Sequence, residues 1–137
     1  MNKIHIEDDL LIKSDIRNIA AIEKLIDNQS SLCNLNDEIY GKLLLAVVEG
    51  VNNAIVHGNK SDISKVVKIH YVINNDTIVY EITDAGSGFD PDTVPDPTAV
   101  ENLDKPCGRG IFLMKHLADQ IEFSCGGTCV KLKFNLK

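Results

Sequence analysis

Residues 37–58 read DEIYGKLLLAVVEGVNNAIVHG, and the apolar letters in this stretch recur at the spacing of an α-helix. Asn36 or Asp37 is able to cap this helix, and Gly58 lies just beyond its predicted end near residue 56. The apolar side chains collect on one side of the helix and comprise Leu44, Val47, Val48, Val51, Ala54 and Ile55. The pattern therefore predicts a long helix that packs this stripe against a sheet.

The opposite side of the helix carries polar residues that an ordinary solvated face does not favour. With Glu49 set at zero, Asn53 falls about 40° to one side and Asn52 about 60° to the other. Asn lowers helix propensity, and the neighbouring Ala46 and Gly50 leave room for something to approach the backbone. Such a locally unfavourable choice is expected at a functional site, with a solvated stripe as the alternative.

Two of these side chains offer the chemistry of a metal and proton-transfer site. Asn53 has a neutral oxygen that suits Mg²⁺, a cation that keeps several water and phosphate ligands. Glu49 lies one turn earlier on the same face and is able to accept a proton from a hydroxyl or water near that metal. His57 is interpreted instead as a polar residue near the helix C-terminus, where positive charge is favourable.

A glycine-containing segment, residues 84–89, directly follows a predicted strand. Gly86 and Gly88 permit positive φ and the close approach of a ligand to the backbone. Asp84 ends the strand with an acceptor that suits an exocyclic amine, although a plain turn explains the segment equally well. No helix opens from these glycines, which excludes a dinucleotide-binding fingerprint.

A second glycine segment, Gly108, Arg109 and Gly110, precedes a helix predicted over residues 110–118. Free amides at a helix N-terminus favour anions, and the forked cation of Arg109 matches phosphate geometry. The alternative is a glycine-capped helix start. Further on, Thr128 offers a hydroxyl beside a glycine turn, where an ordinary hairpin turn is a strong alternative.

The order of elements predicts the fold class. Helices are predicted over residues 15–28, 36–56 and 110–118, and strands over residues 4–7, 65–73, 77–83, 120–125 and 129–136. The proline- and glycine-rich residues 84–109 form a long loop, which is usually functional in a compact domain. We therefore expect an α+β fold: a two-layer α/β sandwich with a mixed, mainly antiparallel sheet and helices on one face.

Composition limits the functional class. A chain of 137 residues with 44% hydrophobic and 25% charged residues is typical of one globular domain. A formal net charge of −6 argues against a non-specific nucleic-acid binder. The first ten residues do not have the composition of a signal peptide, and no apolar run approaches the roughly 18 residues that a membrane helix needs. The cytoplasm is the expected location.

The four cysteines do not have the spacing of a zinc site. Cys33, Cys107, Cys125 and Cys129 are interpreted as reduced structural thiols. A disulfide between Cys125 and Cys129 across the closing hairpin, or a reactive Cys107, remains open.

Taken in order, these segments resemble the motifs of the GHKL (Bergerat-fold) ATPase superfamily. Residues 49–58 look like its N box, residues 84–88 like its first glycine box, and residues 108–110 like its second. Gly127 and Thr128 look like its last turn. The resemblance covers nearly the whole chain and implies one ATP-binding domain over residues 1–137.

Within that superfamily the chain is most similar to bacterial anti-sigma factor serine/threonine kinases. The pattern Glu-x-x-x-Asn-Ala-x-x-His-Gly at residues 49–58 is typical of them. So are Gly-Phe-Asp-Pro at 88–91, Pro-Asp-Pro-Thr at 95–98 and Gly-Arg-Gly-Ile-Phe-Leu-Met at 108–114.

The resemblance implies a role for each matching residue. Asn53 would ligate Mg²⁺, and Glu49 would be the catalytic base. Asp84 would bind the adenine amino group of ATP. Gly86 and Gly88 would shape the adenine pocket, with Thr128 nearby. Gly108, Arg109 and Gly110 would hold the phosphates as part of an ATP lid.

The resemblance also implies the reaction and the partners. The γ-phosphoryl group would pass to a Ser or Thr of a small antagonist protein, a sigma factor would be sequestered, and the kinase would be a homodimer. The chain departs from this picture in its lid, where Lys105 and Arg109 are the only basic residues. Phosphate binding must therefore depend on backbone amides and Mg²⁺.

Two alternatives remain. A detached ATP-binding domain of the sensor histidine kinase type would have a phospho-acceptor His on a dimerisation helix, whereas His5 lies in a predicted strand. A non-catalytic module would use ATP to gate a protein interface, which the presence of both Glu49 and Asn53 disfavours.

Overall fold

The computed structural model describes residues 3–86 and 106–136, with only the backbone described for residues 106–109. Its five-stranded sheet has the order β1-β2-β3-β5-β4. The strands are His5–Lys13 (β1), Val66–Asn74 (β2), Thr77–Thr83 (β3), Gln120–Ser124 (β4) and Cys129–Asn135 (β5). Every pair of neighbours in this sheet is antiparallel. The predicted α+β sandwich is therefore confirmed.

Within the described residues, three α-helices accompany the sheet: Ile19–Cys33 (α1), Asp37–Asn53 (α2) and Pro106–Leu117 (α3). The Asn36 side chain caps α2 by accepting a hydrogen bond from the Ile39 amide at 2.8 Å, as the sequence predicts. Beyond α2 the chain continues through a π-helical turn, Ala54–Gly58, and the Asn59 amide donates to the Ala54 carbonyl at 2.8 Å. Such turns are rare and are frequently found at functional sites.

The core lies between one face of the sheet and the helices. Alternate residues of the three central strands are buried: Val67, Ile69, Tyr71 and Ile73 in β2, Ile78, Tyr80 and Ile82 in β3, and Val130, Leu132 and Phe134 in β5. Opposite them lie Leu43, Val47 and Val51 of α2 and Ile22 and Ile26 of α1, all fully buried. This arrangement fixes α2, and with it Glu49 and Asn53, relative to the strand ends.

The space beside Ala46 and Gly50 is filled by this core and does not serve a ligand. Ala46 is fully buried, and a Cβ atom on Gly50 would lie 2.7 Å from Ile82 Cδ1 and 3.2 Å from Met114 Sδ. The interpretation of these small residues as an approach route to the backbone is therefore wrong. Their small size lets α2 pack closely against β3 and α3.

The composite helix Asp37–Gly58 has 22 residues, and an 18-residue window within it has a mean hydropathy of 1.4, so it is long and apolar enough to cross a membrane by length and composition alone. The sequence contains no uninterrupted apolar run of this length, but the window mean stays high because its apolar residues outweigh the interspersed polar ones. A single such helix is weak support for a membrane span, since the core helix of a globular domain has the same properties. Here its apolar stripe lies against the sheet.

Three element boundaries differ from those predicted. β1 is nine residues long because it pairs with β2 from His5 to Lys13, whereas the alternating pattern ends at residue 7. α1 begins after a 3-10 turn, Ile16–Asn18, and ends at Cys33. α3 starts at Pro106, so residues 108–110 lie within its first turns and not ahead of it.

Among the described cysteines, Cys33, Cys125 and Cys129 are free thiols, so no disulfide joins the closing hairpin.

Candidate functional site

Glu49 and Asn53 converge on the beginning of α3. A Cβ atom built on Gly110 would lie 3.0 Å from Asn53 Oδ1 and 3.2 Å from Glu49 Oε2. The two side chains are half-buried, and their oxygens therefore approach one point beside a residue that has no side chain. The structure thus brings together three of the predicted site residues, one from the second glycine segment and two from α2.

This donor set fits Mg²⁺ better than it fits a metal held by protein alone. The described residues contain no cluster of three or more His, Cys, Asp or Glu side chains able to hold a metal ion. Mg²⁺ does not require such a cluster, because it is usually bound through one or two protein oxygens with water and phosphate completing its shell. Asn53 Oδ1 supplies such an oxygen beside Gly110.

Asp84 lies at the end of β3 in close contact with the π-helical turn. A Cβ atom on Gly58 would lie 2.4 Å from Asp84 Oδ2, and a Cβ atom on Gly86 would lie 2.0 Å from the Gly58 carbonyl oxygen. The Gly86 amide donates to Asp84 Oδ1 at 2.8 Å. Within the described residues no donor reaches Asp84 Oδ2, which leaves that oxygen available to accept a hydrogen bond from a ligand amine.

Opposing effects act on the Asp84 carboxyl group. Partial burial raises its pKa above the usual value, and this effect exceeds the lowering by the Gly86 amide and the Lys65 charge. A partly desolvated carboxylate with one free oxygen is a good acceptor for a neutral amine, because fewer water molecules compete for it.

Thr128 lies next to Asp84 through its backbone. The Asp84 amide donates to the Thr128 carbonyl at 2.9 Å, while the Thr128 hydroxyl donates to the Cys125 carbonyl at 2.9 Å. The predicted proximity of the two residues is therefore found. The contact is made by the main chain, and the hydroxyl proton is directed into its own turn.

The remaining predicted residues are described only in part. Gly108 and Arg109 lie in the first turns of α3, where the backbone alone is described. The amides of a first helical turn lack intrahelical partners, so their predicted role in anion binding is compatible with this position. Gly88 lies outside the described residues, as do the motifs at 88–91 and 95–98.

The site is extended along α2 and its π-helical turn. Glu49 and Gly58 are nine residues apart, which corresponds to roughly 13 Å along a helix axis. Asp84 contacts the Gly58 end, and Gly110 contacts the Glu49 and Asn53 end. An amine acceptor at one end and metal-binding oxygens at the other suit an elongated ligand with a base and a phosphate chain.

One residue of this region was missed from sequence. The side chain of Asn59 is fully buried, and its Oδ1 accepts a hydrogen bond from the Ala85 amide at 2.7 Å. Asn59 directly follows Gly58, which the sequence pattern places just beyond the end of the helix. A polar residue between the end of a helix and the start of a strand is the feature by which the sequence could have indicated Asn59. Nothing in the sequence shows that its side chain is buried.

A family model described as a histidine kinase-like ATPase domain matches residues 12–134. The chain belongs to this family. The matched region contains Glu49, Asn53, Asp84 and Gly110, so the match and the geometry concern the same part of the molecule. No curated protein sequence matches the chain.

The fold of this histidine kinase-like ATPase domain is also similar to a solved structure, the RsbU and RsbW domains of Rv1364c from Mycobacterium tuberculosis. The TM-score is 0.65, the sequence identity is 15%, and the match covers 99% of this chain but 33% of that one. At this identity the likeness concerns the fold alone. The chain spans about a third of the length of the matched protein.

Proposed function

We propose that this domain is a serine/threonine protein kinase of the anti-sigma factor type that uses ATP and Mg²⁺. Its phosphoryl acceptor is an antagonist protein, and the partner that it regulates is a sigma factor or a similar protein. The observation that carries the proposal is the convergence of Glu49 Oε2 and Asn53 Oδ1 beside Gly110. The motif order along the chain and the fold likeness to a structure containing an RsbW domain support the kinase type.

In this proposal Glu49 and Asn53 have separate tasks. Asn53 holds Mg²⁺, which neutralises charge on the phosphates when bound. Glu49 accepts the proton of the acceptor hydroxyl while that oxygen forms its bond to the γ-phosphorus. The bond from the γ-phosphorus to the bridging oxygen of ADP breaks in the same step. Catalysis of this kind depends mainly on positioning and on charge neutralisation.

The other predicted residues bind the two ends of ATP. Asp84 accepts a hydrogen bond from the adenine amino group, with Gly86 and Gly88 shaping the pocket around the base and Thr128 nearby. Gly108, Arg109 and Gly110 hold the phosphates near the start of α3, where the helix dipole favours negative charge.

The proposed kinase acts in the cytoplasm as a homodimer, as kinases that it resembles often do. Sedimentation velocity of the purified protein tests the oligomeric state directly.

The activity is tested with labelled ATP, Mg²⁺ and candidate antagonist proteins encoded near the gene. We expect label on a Ser or Thr of a partner, and we expect Glu49→Gln to abolish it while leaving ATP bound. Glu38→Gln is the matched control, since Glu38 is an exposed carboxylate of the same helix that pairs with Lys42 at 3.2 Å. ATP binding without transfer to any partner would favour an ATP-gated binding module, and no Mg²⁺-dependent ATP binding would overturn the proposal altogether.

A further inference from the structure

Asn59 is a buried polar residue at the junction between the π-helical turn and β2. It has no exposed surface, although Asn is usually found at protein surfaces. Burying an amide is unfavourable unless its donors and acceptor are paired, so its partners show what the residue does.

The side chain of Asn59 joins three separate parts of the chain. Its Nδ2 donates to Ser14 Oγ at 2.8 Å, after β1, and to the Val66 carbonyl at 3.1 Å, at the start of β2. Its Oδ1 accepts from the Ala85 amide at 2.7 Å, directly after Asp84. Ser14 is also fully buried and donates its own proton to the Lys65 carbonyl at 2.8 Å.

These partners fix the orientation of the amide. The Ala85 N–H is only a donor and the Val66 carbonyl is only an acceptor, so Oδ1 must face Ala85 and Nδ2 must face Val66. Because Ser14 Oγ donates to Lys65, its lone pairs are directed to Nδ2. An aspartate at position 59 would keep the acceptor but lose both donations, and an aliphatic residue would lose all three bonds.

The bond to Ala85 completes the fixation of the turn that carries Asp84. The Asp84 amide is held by the Thr128 carbonyl, the Ala85 amide by Asn59, and the Gly86 amide by the Asp84 carboxylate itself. Three consecutive amides are therefore engaged. Since Gly86 also lies against the carbonyl of Gly58, the adjacent residues 58 and 59 together define where Asp84 points.

We propose that Asn59 is a positioning residue for the base-binding end of the site. Its amide fixes the turn after β3 so that the free oxygen of Asp84 meets the amino group of adenine, and Ser14 orients that amide. The inference rests on the proposed function, because it takes adenine as the ligand. It assigns to Asn59 and Ser14 a role in choosing the base that is separate from phosphate binding and phosphoryl transfer.

The test compares binding of ATP with binding of inosine triphosphate, which has an oxo group in place of the 6-amino group. Both affinities are measured by calorimetry with Mg²⁺ for the wild type, Asn59→Ala, Ser14→Ala and the exposed control Asn28→Ala. We expect the wild type and the control to prefer ATP. We expect Asn59→Ala to reduce that preference about tenfold, the change expected on losing one well-placed hydrogen bond.

If Asn59 had only a structural role, Asn59→Ala would weaken the binding of ATP and of inosine triphosphate equally. The ratio of the two affinities would then be unchanged, and this result would overturn the inference. If Asn59→Ala does not fold, Ser14→Ala decides, since it leaves the bond to Ala85 but removes one support of the amide. We expect it to reduce the preference by about threefold, and an unchanged ratio in this variant would also overturn the inference. The inference would also be overturned if the wild type bound ATP no more tightly than inosine triphosphate. Absence of ATP binding by the wild type would instead contradict the proposed function itself.

Discussion

The carbonyl group of Gly58 limits what the turn after β3 can contain. It lies where the Cβ atom of any larger residue at position 86 would be, and the Gly58 Cα lies against the Asp84 carboxylate. The contact at position 86 is with backbone and cannot be relieved by rotating a side chain, whereas a Cβ atom at position 58 would displace the Asp84 carboxylate from its position. At the scale of single residues, the base end of the site therefore depends on the absence of two Cβ atoms.

Gly86→Ala is expected to weaken ATP binding by more than tenfold, because its Cβ atom would lie 2.0 Å from the Gly58 oxygen and displace Asp84. Calorimetry checks this expectation. The matched control is Gly41→Ala, where a Cβ atom on α2 meets nothing within 4 Å. That control should bind ATP normally and gain about 1 kcal/mol of stability from helix propensity. Unchanged affinity in Gly86→Ala would contradict the close contact.

At the scale of elements, the phosphate end depends on how closely α3 approaches α2. Gly110 provides the contact with Glu49 and Asn53, and Gly50 provides a second close contact with Met114 of α3. Two glycines therefore set the separation of these helices, one within the core and one at the site. Helix packing and site geometry are consequently controlled at different positions.

The substitution Gly110→Ala separates the effect of helix packing on stability from the effect of site geometry on activity. Alanine favours the helix, so the free energy of unfolding should change by less than about 1 kcal/mol. The added methyl group would lie 3.0 Å from Asn53 Oδ1 and 3.2 Å from Glu49 Oε2, so phosphoryl transfer should fall at least tenfold. Transfer assays and urea denaturation measure the two quantities, with the exposed Lys115→Ala of α3 as control. Full activity in Gly110→Ala would contradict the expected interference with these two oxygens.

The sequence predicts an element well where a local pattern sets its bounds, and poorly where pairing with a distant part of the chain sets them. The alternating pattern predicts too short a β1 because Asp8 and Asp9 interrupt it, and only the register with β2 shows the full strand. α3 was predicted to start late because Gly108 and Gly110 are poor helix formers, although Pro106 is favoured at a first helical position. The pairing of Glu49 with Asn53 follows from helical spacing, whereas the contact of Gly58 with Asp84 spans 26 positions and requires the folded chain.

At the scale of the whole molecule, the outer face of the sheet carries a charged cluster remote from the site. His70 of β2 is bonded through Nδ1 to Asp9, and its Nε2 lies 3.1 Å from Glu7 Oε2, both on β1. Lys68 Nζ lies 3.9 Å from Asp9 Oδ2, and Glu81 of β3 faces His70 across the sheet. The bond to Asp9 raises the pKa of His70, with the charges of Asp9, Glu7 and Glu81 adding to this and partial burial opposing it.

His70 therefore stabilises the fold in its charged form. Because its folded pKa is raised, this stabilisation is fully present below the unfolded value of 6.5 and is lost as pH rises through the folded pKa. His70→Ala should destabilise the protein more at about pH 6 than at about pH 9, as urea denaturation can measure. His57→Ala is the control, since His57 is exposed and makes no ion pair within the described part of the chain. A difference that grows with pH would contradict this sign.

The sheet order has a consequence for how the protein is made. β5 inserts between β3 and β4, so a growing chain exposes the edge of β3 until residues 129–135 have left the ribosome. An unpaired edge beside an apolar face promotes aggregation. The Thr128 carbonyl, which accepts the hydrogen bond from the Asp84 amide, is also missing until this late stage of synthesis. Nascent chains halted before β5 would consequently be substrates for chaperones and proteases. Nucleotide would stabilise only folded chains that contain β5, because binding favours the folded state by mass action.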